Sequence, residues 1–128
     1  MALNRPLTVL LPVRDAQSSL AATVTEVLEM ASDLSEHFEL VIIDDGSSDA
    51  TSEVAHELSR RYPQIRTLHY ASPLGEEAAL RAGFAQSGGD VVFVRGGRSP
   101  TFERLSWASQ PMRPNFLGRT RSFAREGL

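Results

Sequence analysis

The chain has 128 residues, room for one domain, and no apolar run in it approaches the ~20 residues that cross a bilayer. It contains no cysteine and no lysine, which excludes disulfide scaffolds, thiolate metal sites, Schiff-base chemistry and a P-loop. Charge is divided unevenly: residues 1–94 carry six Arg against 14 acidic residues, a net of −8, and residues 95–128 carry seven Arg against two Glu, a net of +5.

Leu7-Thr8-Val9-Leu10-Leu11 is a short apolar run that reads as a buried strand stopped by Pro12. No apolar stretch of signal-peptide type precedes it, so a cytoplasmic location is expected. Ser18 or Ser19 can cap the helix that follows, in which Leu20, Val24, Val27, Leu28, Ala31 and Leu34 recur at helical spacing. Residues 39–44 form a second buried strand, and Asp45-Gly46-Ser47-Ser48-Asp49 a turn. Ser48 or Asp49 then caps a helix from about Thr51 to Arg61.

Tyr62-Pro63 closes that helix, because proline restricts the residue before it. Ile65 to Tyr70 is a third strand, Gly75 to about Gln86 a helix, and Val91 to Val94 a fourth strand. Thr101 to Ser109 reads as one short helix, and the remainder to Leu128 has no clean period. The order βαβαβαβ with non-alternating apolar strands points to an α/β fold: a mostly parallel sheet with helices on both faces and right-handed crossovers. The expected division is an α/β core over 1–95 and a basic segment over 96–128, docked on the core or at a subunit interface.

Ligands of such a sheet bind beyond the carboxyl ends of its strands. Three loops lie there: Pro12-Val13-Arg14-Asp15, residues 44–49, and residues 95–98. A strand-end carboxylate such as Asp44 or Asp45 can accept hydrogen bonds from a ribose or a base N–H, or can serve as a polar turn and helix cap. The loop after the first strand has no glycine, which argues against a Rossmann dinucleotide site. No G-x-S-x-G elbow is present. His37, His56 and His69 lack metal-ligand spacing and read as packed or solvated histidines. Glu76-Glu77 opens a helix, where carboxylates favour the positive dipole end.

Four stretches in order carry a resemblance: Leu7 to Asp15, then Val41-Ile42-Ile43-Asp44-Asp45-Gly46-Ser47-Ser48-Asp49-Ala50-Thr51, then Ala78 to Gly83, then Gly89 to Val94. Together they resemble the family 2 glycosyltransferases, inverting nucleotide-sugar-dependent enzymes, over about residues 6–95. The resemblance implies a Rossmann-like GT-A nucleotide-binding half. It implies that Pro12, Arg14 and Asp15 line the base pocket, where a planar guanidinium can stack on a pyrimidine. It further implies that Asp45, followed by Gly46, accepts the uracil N3–H, that Asp44 holds the strand end and ribose side, and that Arg81 lies near the donor or in a structural salt bridge.

The family's metal-binding D-x-D triplet would fall on Gly96-Gly97-Arg98, so no metal site is expected although the family uses Mn²⁺ or Mg²⁺. A divalent ion needs oxygen ligands and is repelled by Arg98. Glu76 stands where the family often has lysine. Residues 99–128 are too few to supply the acceptor half and its catalytic base, so no catalytic residue is assigned.

The expected function is a glycosyltransferase-like domain, catalytically impaired or inactive, that binds at most a uridine or other nucleotide or a nucleotide sugar. One alternative is a metal-independent transferase in which Arg98 neutralises the diphosphate. Another is a scaffold protein whose basic tail, with Arg113, Arg119, Arg121 and Arg125, meets a protein partner or a second copy. A body of net −8 argues against nucleic acid.

Overall fold

The computed structural model describes residues 6–87, 90–95 and 101–104. In chain order the elements are β1 (Leu7–Val13), α1 (Leu20–Leu34), β2 (Phe38–Asp45), α2 (Thr51–Arg61), β3 (Ile65–Tyr70), α3 (Glu76–Ala85), β4 (Asp90–Arg95) and β5 (Thr101–Arg104). They build one five-stranded sheet of order β3-β2-β1-β4-β5. The pairs β1–β2, β2–β3 and β1–β4 are parallel, and β5 runs antiparallel to β4. The chain moves outward from β1 to β3 and then returns to the other side of β1, so the strand order reverses at β1, the kind of place where open α/β sheets bind ligands.

The strands alternate cleanly between two buried faces, as a period of two requires. Leu7, Val9, Leu11, Leu40 and Ile42 pack with Leu20, Val24, Val27 and Ala31 of α1 and with Ala55 and Leu58 of α2. Leu10, Val41 and Ile43 point the other way, against Ala79 and Leu80 of α3. Helix α3 lies close on its face: a Cβ at Gly83 would stand 2.7 Å from Ile43 Cδ1 and 3.0 Å from Leu10 Cδ2. On that face the amino ends of the strands are also bridged. Thr8 Oγ1 donates to Glu39 at 2.8 Å, Arg66 Nε donates to the other Glu39 oxygen at 2.9 Å, and Arg66 Nη2 donates to the Gln86 carbonyl at 3.0 Å.

Three expectations need correction. Pro12 does not stop β1, which continues to Val13 with Pro12 opposite Ile43. The ladder from β1 to β4 ends at Leu10↔Phe93, so the N–H that Pro12 lacks interrupts no pairing on that side. Thr101–Arg104 is a strand rather than the start of a helix, in register Val94↔Phe102 and Arg95↔Thr101. Four residues carry too little period to decide between the two, and the open edge of β4 offers backbone partners that a short helix would not use. Ser19 flanks α1 but makes no capping bond through its side chain. Residues 105–128 lie outside the described residues, and so does the expectation about the basic tail. No helix among the described residues is long and apolar enough to cross a membrane.

Candidate functional site

At the carboxyl edge of the sheet, Val13, Asp44 and His69 stand side by side on β1, β2 and β3, and Asp45 is level with Tyr70. The same alternation that divides the core separates the two adjacent aspartates. Asp44 continues the Leu40–Ile42 row toward α1 and α2, and Asp45 continues the Val41–Ile43 row toward α3. Both are buried, at 1% and 7% exposure, so each carboxylate needs partners.

Asp44 finds them within the chain. Its Oδ1 accepts from the Ser47 N–H at 3.2 Å and from the Ser47 hydroxyl, and its Oδ2 lies 2.8 Å from His69 Nδ1. Asp45 reaches across to the loop before α3. Its Oδ1 accepts from the Leu74 N–H at 2.7 Å and its Oδ2 from the Gly75 N–H at 3.0 Å. Each Asp45 oxygen retains a second lone pair, so this clamp leaves acceptor capacity for a ligand. Between the two loops sits Gly46 at φ +75°, buried against Ser72 and Pro73.

Five hydrogen bonds stitch the loop after β1 to the turn after β2. The N–H groups of Asp15, Ala16 and Gln17 donate to Ser47 Oγ (2.8 Å), Thr51 Oγ1 (2.7 Å) and Asp49 Oδ2 (3.2 Å). In return, the Ser48 N–H donates to Asp15 Oδ1 at 2.7 Å and the Ala50 N–H to Gln17 Oε1 at 3.2 Å. Ser47 and Thr51 play equivalent parts: each hydroxyl gives its proton to an aspartate, Asp44 or Asp49, and accepts a backbone N–H from the β1 loop. Asp15 is the one non-glycine residue with positive φ among the described residues, at 51°. Its carboxylate fastens the loop. Arg14 precedes it, exposed to solvent.

Pro12, Arg14, Asp15, Asp44, Asp45 and Gly46 are therefore brought to one edge. Arg81 stands apart on α3, exposed and 3.1 Å from Glu77, in the wall of an open groove of about 480 Å³ that includes Leu74, Gly75 and Glu76. The salt bridge, one of the two readings offered for it, is present, and the groove that Arg81 lines also includes the Leu74 and Gly75 that Asp45 holds. Arg98 lies outside the described residues.

Sequence reasoning missed His69 as a partner of Asp44, because the pairing depends on the register of β3 against β2. It also missed Ser47 and Thr51 as connectors. The signal available was the spacing of hydroxyl residues behind two aspartates in Asp44-Asp45-Gly46-Ser47-Ser48-Asp49-Ala50-Thr51. Asp49 does support the start of α2, but from outside the N-cap position, which is Ala50: its Oδ1 accepts from the Thr51 N–H at 2.9 Å.

The Thr51 hydroxyl, with the Thr51 and Gln17 N–H groups, holds the Asp49 carboxyl below its usual pKa of 3.8. A carboxylate lowered on folding adds stability above its unfolded pKa, and that contribution is lost as pH falls through the folded value. The Asp49→Asn protein is therefore expected to unfold with a shallower loss of stability below about pH 4, read from urea midpoints between pH 2 and 7.

At the positions where the resemblance puts the family's metal ligands, the residue types do not suit a divalent cation. No group of three or more His, Asp or Glu side chains able to hold a metal ion occurs among the described residues. Gly96 and Gly97 bring no side-chain oxygen, and Arg98 brings positive charge.

Comparison with known proteins agrees with this architecture. Residues 8–94 match the model of glycosyl transferase family 2. The chain is 33% identical over 91 residues to an undecaprenyl-phosphate 4-deoxy-4-formamido-L-arabinose transferase of Aeromonas hydrophila, covering 67% of this chain and 27% of that protein. It is 36% identical over 62 residues to the probable glycosyltransferase YdaM of Bacillus subtilis, covering 46% of this chain and 15% of that one. Among solved structures, the mannosyltransferase PcManGT from Pyrobaculum calidifontis, in complex with GDP-Man and Mn²⁺, superposes with a TM-score of 0.62 at 18% identity. That match covers 72% of this chain and 27% of that one, and it shows the shared GT-A fold. The chain thus spans about a quarter or less of the length of these relatives. A reversal of strand order at β1, an aspartate pair ending β2 and a family model spanning 8–94 lead to one conclusion: the chain belongs to glycosyl transferase family 2.

Proposed function

We propose that this chain binds a nucleotide or nucleotide sugar at the carboxyl edge of the sheet, and that metal-dependent glycosyl transfer is impaired in it. The observation that carries the binding half is the five-bond seam between the β1 and β2 loops, which fastens the segment following Arg14 to the turn following Asp44 and Asp45. Pre-organisation of this kind lowers the ordering cost of binding. The transferase names of its relatives, and the GDP-Man held by the Pyrobaculum mannosyltransferase, support a nucleotide sugar as the ligand class.

In this reading the Arg14 guanidinium stacks on the base, and Asp45 accepts a base N–H with the lone pairs left over from Leu74 and Gly75. The impairment reading is supported by composition: at the positions where the resemblance puts the carboxylates that hold the family's ion, this chain has Gly96-Gly97-Arg98.

The test is thermal unfolding with uridine and guanosine diphosphates and their sugar conjugates, each with Mn²⁺ or with EDTA. A ligand at 100 times its Kd adds about 2.7 kcal/mol of stability, which moves the midpoint of a domain this size by several degrees. The expected result is a shift with one nucleotide family that is the same with Mn²⁺ and with EDTA. No shift with any nucleotide would overturn the binding reading, and a shift that needs Mn²⁺ would overturn the impairment.

A further inference from the structure

We infer that His69 is a positioning residue for this site, holding the loop that carries Arg14 through Asp44 and Ser47. The role rests on the nucleotide-binding reading above. The hydrogen-bond chain itself runs continuously from the edge strand to the first loop: His69 Nδ1 to Asp44 Oδ2 at 2.8 Å, Asp44 Oδ1 to the Ser47 hydroxyl, and Ser47 Oγ to the Asp15 N–H at 2.8 Å. It then closes on itself, because Asp15 Oδ1 accepts from the neighbouring Ser48 N–H at 2.7 Å.

The direction of each bond follows from the donors available. A carboxylate only accepts, so His69 Nδ1 carries a proton and donates it to Asp44. The Ser47 hydroxyl proton is likewise committed to Asp44, which leaves its oxygen to accept from Asp15. Every link therefore depends on the one before it.

Packing does not explain a histidine here. Its side chain is 53% exposed, while that of Asp44 is 2% exposed. What the position requires is a donor for the Asp44 oxygen that Ser47 does not serve. Without one, the buried carboxylate must turn to find a partner, and it would turn away from Ser47. Asp15 would feel that change, since its backbone sits at φ 51°, a region that a non-glycine residue occupies only when its surroundings hold it there. Arg14 is bonded directly to it.

The experiment compares the whole chain with His69→Phe, which keeps a ring and loses the donor, and His69→Asn, which keeps a donor near the Nδ1 position. Amide hydrogen exchange is read at Asp15 and Ser48, with Leu10 and Ile42 as core references, and nucleotide Kd is read in parallel. Phe at 69 is expected to speed exchange at Asp15 and Ser48 about tenfold and to weaken nucleotide binding by about five- to tenfold, with the core amides unchanged. Asn at 69 is expected to restore both. Ser47→Ala removes the acceptor of the Asp15 N–H directly and sets the upper limit of the loop effect, and His69→Leu serves as a second donor-free variant should His69→Phe fold poorly.

Exchange at Asp15 and Ser48 that is unchanged in His69→Phe, with the core amides still protected, would overturn the inference, whatever Ser47→Ala does. So would an Asn variant that behaves like Phe. If the parent binds no nucleotide while the exchange pattern appears as expected, the binding reading fails and the positioning chain stands.

Discussion

Replacing Gly46 with alanine is expected to destabilise the domain by about 3 kcal/mol and to lower its melting midpoint by on the order of 15 °C. Two costs combine. The residue sits at φ +75°, where an L side chain costs about 1–2 kcal/mol. A Cβ there would also lie 2.5 Å from Pro73 N and 2.8 Å from Ser72 C and Pro73 Cδ. Two of these three atoms are backbone and the third belongs to a ring closed on it, so no side-chain rotation relieves the contact, and overpacking of that kind costs about 1–3 kcal/mol.

The relief available is movement of the loop before α3. That loop is the one Asp45 holds through the N–H groups of Leu74 and Gly75, so those two hydrogen bonds should lengthen together. Gly75→Ala is the internal control. It also has a positive φ, at +95° with ψ 155°, a region essentially confined to glycine, but has open space around its missing Cβ, so it should cost only a backbone part, about 1–3 kcal/mol. Urea unfolding of the two variants separates the costs. Equal losses would show that Gly46 is needed for its backbone angle alone.

The two adjacent aspartates are expected to respond differently to the same substitution. Asp44→Asn should cost about 2 kcal/mol, because a neutral amide oxygen accepts the two Ser47 donors more weakly than a carboxylate does, and its NH₂ is satisfied only if the His69 ring changes to the tautomer whose Nδ1 accepts. Asp45→Asn should cost about 1 kcal/mol, since its partners lie on an exposed loop where water can replace the lost acceptor. In nucleotide binding Asp45→Asn should weaken affinity by about tenfold through loss of the acceptor proposed to meet the base. Urea midpoints and a nucleotide titration on both proteins test this. A stability loss for Asp45→Asn as large as that for Asp44→Asn would overturn the division of labour.

The strands and helices were legible because each obeys a single local rule. Leu20, Val24, Val27 and Ala31 recur at helical spacing and are the buried residues of α1, and the bounds of α2 follow the signals at its two ends. The apolar, non-alternating runs at Leu7–Leu11 and Leu40–Ile43 announced a sheet covered on both faces. What misled was also local: Pro12 reads as a stop only if its neighbour on that side is assumed, and Thr101–Arg104 reads as helix only if the open edge of β4 is ignored.

The candidate site was legible as a place and as residue types. Asp44, Asp45, Gly46, Arg14 and Asp15 were placed at the carboxyl edge from strand order and motif alone. Their division of work was not. That Asp44 turns to Ser47 and His69 while Asp45 turns to Leu74 and Gly75 depends on the register of three strands, and register is a relation between segments that no one segment contains.

By itself, then, the sequence determined the alternation of elements and the family, because periodicity and motif are properties of the chain read in order. Only the tertiary structure decided which donor each buried carboxylate meets, why Gly46 must lack a side chain, and that His69 pairs with Asp44. Those depend on segments some 25 to 33 residues apart arriving within hydrogen-bond distance, and only the packed sheet sets that distance.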